Sequence, residues 1–423
     1  MSSLSKKVCM IGLGYIGLPT AATMASQGYQ VLGIDVNQHA VDTINAGDVH
    51  IIEPDLDRLV SDVVKNGKLT AKTSLAESDQ CDIYMIAVPT PFKGNKEPDL
   101  SYVKAAVEAL APFLKKGDCV VLESTSPVGT TAKIAAWLTA ARPDLLIPKE
   151  NIEGQYDITI AYCPERVLPG KVLYEIVHND RIIGGLTTAC ADTVCDFYKT
   201  FVQGGCLKTT ARTAAMCKLT ENAYRDVNIA FANELSMICD EQGIDVWGLR
   251  ELANRHPRVD ILKPGPGVGG HCIAVDPWFI VNASPEHANL IRCAREVNDY
   301  KPEYVVKLVL QKLQDLKISN VVFWGLAFKP DIDDLRESPA IKVVTQFLER
   351  DSNCAVKVVE PNINSLPKGM SGKDRLELVT PAEAIAIDAA LHVFIVSHSA
   401  FAKIKLPESA LTLDFCGVLG AKS

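Results

Sequence analysis

The chain has 423 residues, 48% of them hydrophobic, which is enough apolar material for two or three domains with buried cores. Its formal net charge of −8 argues against a nucleic-acid-binding surface, because such a surface needs clustered lysine and arginine residues. Its thirteen cysteines include no C-x-x-C pair, which is typical of a reducing cytoplasm and not of a disulfide framework or a zinc ribbon. We therefore expect a cytoplasmic protein with no structural metal, no nucleic-acid partner and no membrane span.

The first predicted element is a short apolar strand, Lys7 to Ile11, which leads through a glycine-rich turn into a helix from Leu18 to Gly28. Gly12, Gly14 and Gly17 form a G-x-G-x-x-G pattern. The first glycine allows the tight turn, the second lets a pyrophosphate approach the backbone, and the third lets the helix pack closely. Since these glycines interrupt the apolar run, a strand, turn and helix are favoured over a secretory signal peptide.

A second strand, Gln30 to Ile34, ends at Asp35, about twenty residues beyond the glycines. A carboxylate at this point accepts hydrogen bonds from the adenosine ribose and repels a 2′-phosphate. The sequence therefore predicts that the cofactor is NAD and not NADP.

Further predicted strands at Asp82 to Val88 and Cys119 to Glu123 alternate with helices such as Tyr102 to Leu110, as a doubly wound parallel sheet requires. The loops after these two strands carry Thr90 and Thr125. Ligands bind at the carboxyl ends of such strands, so these hydroxyls could reach the nicotinamide half of the dinucleotide. The alternative is that they only begin a turn or cap a helix.

A strand from Ile158 to Cys163 is predicted to close this half of the chain and to lead to Glu165 and Arg166. At a strand end these two charges could contact substrate, although a charged pair in a loop is usually solvated surface. Ala211 to Gln242 is then predicted to form one helix of about 48 Å that ends at Gly243. A helix of that length is typical of a connection between domains or of a subunit interface.

Lys218, Asn222 and Arg225 recur on this helix at i, i+4 and i+7, so they share one face. Polar residues at this spacing are most often solvated, but the apolar residues that follow favour a partly buried row and hence a site. His256 and Arg258 belong to a cationic loop that could bind sugar-linked phosphates or could simply be solvated.

Cys272 lies in a segment rich in glycine, from Gly265 to Pro277. We interpret it as a covalent nucleophile whose glycine neighbours let the backbone approach substrate, the alternative being an inert buried cysteine. A thiolate can convert an aldehyde to a thiohemiacetal, which on oxidation gives a thioester that water opens to an acid. A nearby lysine would stabilise the oxyanion, and a carboxylate could position the water.

A helix is predicted from Lys301 to Leu316. From Asn320 a second, smaller α/β unit is predicted, with a strand that begins at Val321, a helix from Pro339 to Leu348 and further strands at Val356 to Val359, Leu391 to Val396 and Leu411 to Phe415. This unit lacks a glycine triplet, so we expect it to bind something other than a second NAD. The predicted fold class is thus α/β, with an N-terminal Rossmann-type doubly wound domain, a long central helix and a smaller Rossmann-like domain.

Together these motifs resemble the UDP-glucose/GDP-mannose dehydrogenase family over nearly the whole chain. The resemblance is carried by the Gly12–Gly17 turn, Val88 to Pro91, Ser124 to Gly129, Pro164 to Arg166, Lys218 to Asn222, Gly269 to Cys272 with Asp276, and Gly325 to Lys329. It implies Cys272 as nucleophile, with Lys218, Asn222, Asp276 and Glu165 at the reaction centre. It implies NAD contacts from Gly12, Gly14, Tyr15, Ile16, Gly17, Asp35, Thr90, Thr125 and Arg336. It implies nucleotide-sugar contacts from Arg166, Val167, Lys218, Asn222, Arg225, His256, Arg258, Gly269, Phe328 and Lys329.

Pro164 to Gly170 and Asn254 to Arg258 resemble the branch of the family that oxidises UDP-N-acetyl-D-mannosamine at C6, for bacterial surface polysaccharides such as enterobacterial common antigen. The resemblance also implies a homodimer formed through the central helix. The expected domains are an NAD-binding domain at 1–210, a central helical domain with the cysteine loop at 211–318, and a UDP-sugar-binding domain at 319–423.

Three alternatives stay open at this point. UDP-glucose, UDP-N-acetylglucosamine or GDP-mannose could be the substrate. A two-electron β-hydroxyacid dehydrogenase would also place a lysine and an asparagine one turn apart, but it needs neither the cysteine nor the unit after Asn320. A non-catalytic NAD sensor would use the glycine turn alone, and it has no use for Lys218 and Cys272.

Overall fold

Two sheets of mainly parallel strands carry the fold, one in each of two units of the chain, Met1–Thr220 and Glu221–Ser423. The structure is a computed structural model that describes residues 6–168, 170–270, 272–351, 353–372 and 375–420. Pro169 and His271, which belong to two of the sequence motifs, lie outside the described residues. The predicted fold class, with a Rossmann-type domain, a long central helix and a smaller α/β domain, is confirmed.

The sheet of the first unit is built on the glycine-turn strand and extends from it in both directions. Its order is β3-β2-β1-β4-β5-β6-β7-β8, and the pairing is parallel throughout except between β6 and β7. The strands are β1 (Lys7–Ile11), β2 (Gln30–Ile34), β3 (Leu69–Lys72), β4 (Ile83–Ile86), β5 (Cys119–Leu122), β6 (Thr159–Tyr162), β7 (Arg181–Gly185) and β8 (Cys206–Thr210).

Helices cover both faces of this sheet, as the doubly wound prediction requires. One hydrophobic core contains residues of α1, α2, α3 and α7, and the other contains residues of α4, α5 and the start of α8. The helices are α1 (Gly17–Ser26), α2 (Gln38–Asn45), α3 (Leu56–Lys65), α4 (Ser101–Leu110), α5 (Thr130–Ala141), α6 (Val172–His178), α7 (Thr188–Tyr198) and α8 (Ala211–Gln242), with 3₁₀ turns at Gly94–Lys96 and Ala111–Phe113.

The prediction that the strand ending at Cys163 closes the first half was wrong, because β7 and β8 follow it. β7 ends in two glycines, which are unfavourable in a strand taken alone. A Cβ on Gly185 would lie 2.3 Å from the Thr187 carbonyl oxygen, so the glycine lets α7 start directly beside the strand. These glycines are therefore a packing requirement that a local pattern does not reveal.

The second unit contains most of α8 and a smaller sheet with the order β11-β10-β9-β12-β13, parallel throughout. The strands are β9 (Asn320–Trp324), β10 (Ala355–Val359), β11 (Leu376–Leu378), β12 (Ala390–Phe394) and β13 (Leu411–Asp414). The helices are α9 (Val246–Ala253), α10 (Asp276–Ala283), α11 (Asn289–Leu316), α12 (Pro339–Arg350) and α13 (Pro381–Ile385), with a 3₁₀ turn at Phe401–Lys403.

Helix α8 has the predicted bounds, and Gly243 follows it with φ +66°, the left-handed conformation of a helix stop. The sequence pattern placed the start of α11 at Lys301, but the helix begins at Asn289 and contains Pro302 in its interior. Proline interrupts the backbone hydrogen bonding of a helix, so the pattern favoured a start beside it. No helix in the described residues is long and apolar enough to cross a membrane.

Candidate functional site

The three glycines of the turn after β1 have different structural roles. Gly12 has φ +94°, and its N–H donates to the Ile34 carbonyl at 2.8 Å, which ties the turn to β2. A Cβ on Gly17 would lie 1.8 Å from the Gly12 carbonyl oxygen, so no other residue fits at the start of α1. A Cβ on Gly14 would meet no atom within 4 Å. The turn is therefore packed on its inner side and open at Gly14, as the approach of a pyrophosphate requires.

Asp35 lies directly after β2 with its carboxylate held by the backbone. Its Oδ2 accepts from the Leu13 N–H at 2.9 Å, and its Oδ1 accepts from the Asn37 N–H at 2.9 Å. A carboxylate has about four acceptor positions, so capacity is left for ribose hydroxyls. Tyr15 is exposed and Ile16 is half-buried at the entry to α1.

Thr90 and Thr125, which follow the neighbouring strands β4 and β5, lie together in the structure. The Thr90 hydroxyl donates to the Thr125 carbonyl at 2.5 Å, and both residues are half-buried. The Rossmann-type sheet thus brings the predicted cofactor residues of four different loops to its carboxyl edge.

Glu165, which follows β6, is buried and not part of a solvated surface, with 6% of its area exposed. Its carboxylate forms an ion pair with the buried Arg181 of β7 and accepts from the Arg166 N–H at 2.7 Å. The Arg166 guanidinium donates to the Asp180 carbonyl at 3.2 Å, and Val167 is half-buried. Sequence analysis missed Arg181, although a single arginine opening an apolar strand is a signal that its charge is paired.

The structure joins three of the predicted catalytic residues through hydrogen bonds. The Asn222 amide of α8 donates to the Asp276 carboxylate at 2.5 Å. Asp276 is the buried first residue of α10, and its N–H donates to the Cys272 carbonyl at 2.8 Å. Lys218 lies one turn before Asn222 on the same helix and is half-buried. Cys272 itself is exposed, so it is not a buried core cysteine.

The glycines before Cys272 are required by close packing against protein. A Cβ on Gly269 would lie 2.7 Å from the Glu337 carbonyl oxygen and 2.8 Å from Phe328 Cβ. A Cβ on Gly270 would lie 3.0 Å from the Phe328 ring, and Gly267, with φ +138°, would meet Pro339 at 3.0 Å. The predicted reason for these glycines was the approach of substrate. The structure instead shows that they seat the cysteine segment on the loop after β9 and the start of α12.

A row of buried polar residues on α8 supports the same segment. Arg225, expected to be partly buried, is exposed, because the next residue, Asp226, takes the inward position and pairs with Arg295 of α11 at 2.6 Å. The Asn233 amide donates to Asn298 at 2.8 Å, and its oxygen accepts from the Gly265 N–H at 2.8 Å. Sequence analysis missed this row, although Asp226 and Asn233 lie seven residues apart on one helix and therefore share a face.

Burial shifts the pKa of ionisable groups where α8 packs against α11. Burial raises the pKa of Asp226 even though Arg295 lies beside it. Burial also lowers the pKa of Lys301 to about 8, with its ammonium group donating to the Ser236 hydroxyl at 2.6 Å. The contact between α8 and α11 thus includes the Asp226–Arg295 ion pair and the hydrogen bond from Lys301 to Ser236.

The loop that carries Phe328 and Lys329 is fixed by Glu360, the residue directly after β10. One carboxylate oxygen of Glu360 accepts from the N–H groups of Leu326 at 2.7 Å and Ala327 at 3.0 Å. His398 lies 3.0 Å from the same oxygen. Burial alone would raise the pKa of Glu360, but these hydrogen bonds hold it below its usual value. Phe328 is half-buried against the glycine segment and Lys329 is exposed.

The remaining predicted contacts are exposed cations. Arg336 forms a two-pronged ion pair with Asp334, at 2.9 and 2.6 Å. His256 and Arg258 are exposed, in a turn closed by the Asn254 amide, which pairs with both backbone groups of Ile261. The described residues contain no group of three or more His, Cys, Asp or Glu side chains arranged to hold a metal ion.

A glycine turn that is open at Gly14, between a parallel strand and a helix, is typical of a dinucleotide-binding domain. The chain belongs to the UDP-glucose/GDP-mannose dehydrogenase family. Models of the family's NAD-binding, central and UDP-binding domains match residues 6–202, 212–300 and 322–421. It is therefore an NAD-dependent nucleotide-sugar dehydrogenase, and the predicted family, enzyme class and cofactor are confirmed.

The relatives include two groups of curated enzymes. An NDP-N-acetyl-D-galactosaminuronic acid dehydrogenase of Ralstonia nicotianae is 56% identical over 99% of this chain and 97% of its own length. A UDP-N-acetyl-D-mannosamine dehydrogenase of Escherichia coli is 55% identical over 93% of this chain and 94% of its own. The solved structure of a UDP-D-ManNAc dehydrogenase from Pyrococcus horikoshii matches with a TM-score of 0.84 at 35% identity, covering 97% of this chain and 96% of that one.

Proposed function

We propose that the chain oxidises UDP-N-acetyl-D-mannosamine at C6 to the corresponding uronic acid, through a covalent intermediate on Cys272. The observation that carries the proposal is the exposed Cys272 with its hydrogen-bonded neighbours. The backbone carbonyl of Cys272 accepts from the Asp276 N–H, and the Asp276 carboxylate accepts from the Asn222 amide. A thiol is needed because an aldehyde carbon must become tetrahedral before it can lose a second hydride.

In this mechanism the thiolate of Cys272 adds to the C6 aldehyde that the first oxidation produces. The thiohemiacetal loses a hydride to become a thioester, and water then cleaves the C–S bond to give the acid and the thiol. NAD, when bound at the glycine turn, accepts one hydride in each oxidation. Lys218 holds or moves the proton at the C6 oxygen, while Asn222 and Asp276 fix the thiol segment. Glu165 takes the proton of the attacking water.

The nucleotide sugar would be held by Arg166, Val167, Arg225, His256, Arg258, Phe328 and Lys329, and the cofactor also by Arg336. The exposed guanidinium groups of Arg225 and Arg258 support this proposal, because arginine binds phosphate through two parallel hydrogen bonds. We also retain the domain division at 1–210, 211–318 and 319–423, which the family matches at 6–202, 212–300 and 322–421 support.

A galacto-configured N-acetylhexosamine nucleotide is the second candidate substrate. It is favoured by the 56% identity to the Ralstonia enzyme, which is as high as the 55% identity to the mannosamine enzyme.

Synthesis of a surface polysaccharide such as enterobacterial common antigen, and a cytoplasmic location, are further proposals. The location is supported by the absence of disulfides among the described residues.

The deciding experiment supplies purified protein with NAD and, in turn, UDP-N-acetylmannosamine, UDP-N-acetylgalactosamine, UDP-N-acetylglucosamine, UDP-glucose and GDP-mannose. We expect the highest kcat/KM with UDP-N-acetylmannosamine and two NADH formed per sugar oxidised. Higher kcat/KM with the galacto compound would transfer the proposal to the second candidate. One NADH per sugar would contradict the covalent mechanism.

An apolar stripe on α8 supports a homodimer through this helix. Tyr224, Phe231 and Ile238 recur every seven residues and are 71%, 56% and 48% exposed. Seven-residue spacing places side chains along one side of a helix, where a second copy of the same helix could cover them.

Replacing Phe231 by glutamate should therefore convert dimers to monomers, because each interface would bury two carboxylates. Sedimentation velocity would measure the change. Tyr102→Glu, at an exposed aromatic residue of α4, is the control and should leave the dimer intact. A Phe231→Glu protein that sediments as wild type would contradict the proposed interface.

Asp35→Asn is expected to weaken discrimination between NAD and NADP by about tenfold, since the neutral amide no longer repels a 2′-phosphate. Fluorescence titration with each cofactor would give the two dissociation constants. Binding of the nucleotide sugar should not change. An unaltered ratio of the two constants would contradict the ribose role of Asp35.

A further inference from the structure

The second unit repeats, on its own sheet, the turn geometry found after β1 in the first unit. Gly325 follows β9 with φ +100°, and its N–H donates to the last carbonyl of β10 at 2.8 Å. Gly12 has the same relation to the last carbonyl of β2. Glu360 directly follows β10, as Asp35 directly follows β2. A carboxylate therefore occupies the corresponding position in both units.

Unlike the carboxylate of the first unit, Glu360 has all of its acceptor positions occupied by protein donors. Its Oε2 accepts from the N–H groups of Leu326 at 2.7 Å and Ala327 at 3.0 Å, and it lies 3.0 Å from His398 Nε2. Its Oε1 accepts from the backbone N–H and the amide of Asn362, at 3.2 and 3.3 Å. A carboxylate has about four acceptor positions, so these donors leave none for a ribose. Glu360 therefore organises the protein and does not bind a nucleotide itself.

His398 connects Glu360 to the opposite end of the same loop, residues 326–331, which we call the β9 loop. His398 is buried in the segment that follows β12, and its Nδ1 accepts from the Asp331 N–H at 2.9 Å. The ring proton is therefore on Nε2, which donates to Glu360. Asp331 has φ +62°, and its own carboxylate accepts from the Ser399 N–H at 2.8 Å. Both ends of the β9 loop are thus bonded to one pair of buried side chains.

The middle of the β9 loop carries Phe328 and Lys329. Phe328 is half-buried, and a Cβ added to Gly270 would lie 3.0 Å from its ring, so the ring packs against the thiol segment. Lys329 is exposed. The match to the family's UDP-binding domain at 322–421 includes the whole β9 loop together with Glu360 and His398.

We propose that Glu360 and His398 are positioning residues for the nucleotide, which hold both ends of the β9 loop and so keep its middle in the conformation that binds the UDP part of the substrate. The inference rests on the proposed roles of Phe328 and Lys329 as nucleotide-sugar contacts. A lysine ammonium is a point charge on a flexible stem, so its contribution to phosphate binding depends on where the backbone places it. A loop that is ordered before the ligand arrives loses little further entropy on binding, which raises affinity.

His398→Ala is the principal test, because alanine removes both hydrogen bonds of the imidazole. We expect the dissociation constant for UDP, measured by isothermal titration calorimetry, to rise about tenfold. The constant for NAD should not change, because the glycine turn lies in the other unit. In steady-state assays KM for UDP-N-acetylmannosamine should rise by the same factor, with kcat within about twofold of wild type. This split is expected because the UDP part takes no part in the bond changes at C6.

Two variants separate positioning from stability. His398→Asn is the conservative replacement, because asparagine has an oxygen where histidine has Nδ1 and can accept from the Asp331 N–H. It should recover UDP affinity to within about threefold of wild type. His392→Ala is the matched control, because His392 is also buried and lies on β12, but its Nδ1 accepts from the Trp324 indole and not from the β9 loop. It should lower the urea midpoint of unfolding as His398→Ala does and leave the UDP constant unchanged.

Glu360→Gln tests the other member of the pair and keeps the proposal testable if His398→Ala does not fold. A neutral amide oxygen accepts N–H groups less strongly than a carboxylate, and the NH₂ group of glutamine cannot accept at all. UDP affinity should therefore fall about three- to tenfold in this variant.

Hydrogen–deuterium exchange without ligand shows whether the pair fixes the loop. The amides of Leu326 and Ala327 should exchange faster in Glu360→Gln, and the amide of Asp331 should exchange faster in His398→Ala. Unchanged exchange at these amides, or wild-type UDP affinity in both variants, would overturn the positioning role. An equal loss of UDP affinity in His392→Ala would overturn it as well.

Failure of the proposed function would give a different result. A wild-type protein that oxidises no UDP-N-acetylhexosamine, but whose UDP affinity depends on Glu360 and His398 as described, would contradict the proposed substrate and support the positioning role.

Discussion

Replacing Cys272 by serine is expected to lower the rate of acid release about a thousandfold or more, while NAD binding stays at the wild-type level. A serine hydroxyl is ionised far less readily than a thiol, so addition to the aldehyde becomes slow. The glycine turn and Asp35 lie in the first unit of the chain and do not depend on the thiol. Rapid quench with a radiolabelled nucleotide sugar would measure acid, and fluorescence titration would measure NAD binding.

Cys293→Ser is the matched control for this experiment, because Cys293 is also exposed but lies on α11. It should keep full activity. Acid formation at the wild-type rate by Cys272→Ser would exclude the covalent route. A loss of NAD binding in Cys272→Ser would show that the substitution acts on the fold and not on the chemistry.

The second large effect is expected on stability. Arg295→Ala should reduce the free energy of unfolding by about 3–5 kcal/mol, because it leaves a buried carboxylate without its cation. The side chains of Arg295 and Asp226 are 1% and 0% exposed, and Arg295 Nη1 lies 2.6 Å from Asp226 Oδ1. Unfolding in urea, followed by circular dichroism, would give the shift in midpoint.

The control is a surface ion pair of the same unit. Arg350 and Glu303 are 43% and 50% exposed, so Arg350→Ala should cost about 0–1 kcal/mol. Equal destabilisation by the two arginine substitutions would contradict the assignment of Asp226 and Arg295 as a buried, mutually dependent pair. Arg295→Ala should also reduce acid formation, since Asn298 and Asn233 connect this pair to Gly265.

Sequence patterns were sufficient wherever one local segment determines the structure. The turn from Gly12 to Gly17 needs glycine for reasons internal to a strand, a turn and a helix, so β1, α1 and β2 were predicted almost residue for residue. Helix α8 was equally clear, because a long periodic segment ends at Gly243.

Predictions failed where distant residues determine the structure. β7 contains Gly184 and Gly185 because a later helix packs on it, and α11 continues through Pro302 because tertiary packing outweighs the lost hydrogen bond. The partner of Asp226 lies on another helix, far along the chain. The sequence shows that α8 carries Asp226, but it does not show that Arg295 neutralises this charge.

The crowding around Gly267, Gly269 and Gly270 limits how this enzyme could be redesigned for another sugar. Side chains added in that segment would collide with Phe328 or Pro339 before they met a ligand, so libraries directed there would mainly return unfolded protein. His256 and Arg258 are exposed, so substitutions on their turn would not disturb a packed core. Selectivity would therefore evolve on that exposed turn, with the thiol segment kept as an invariant scaffold.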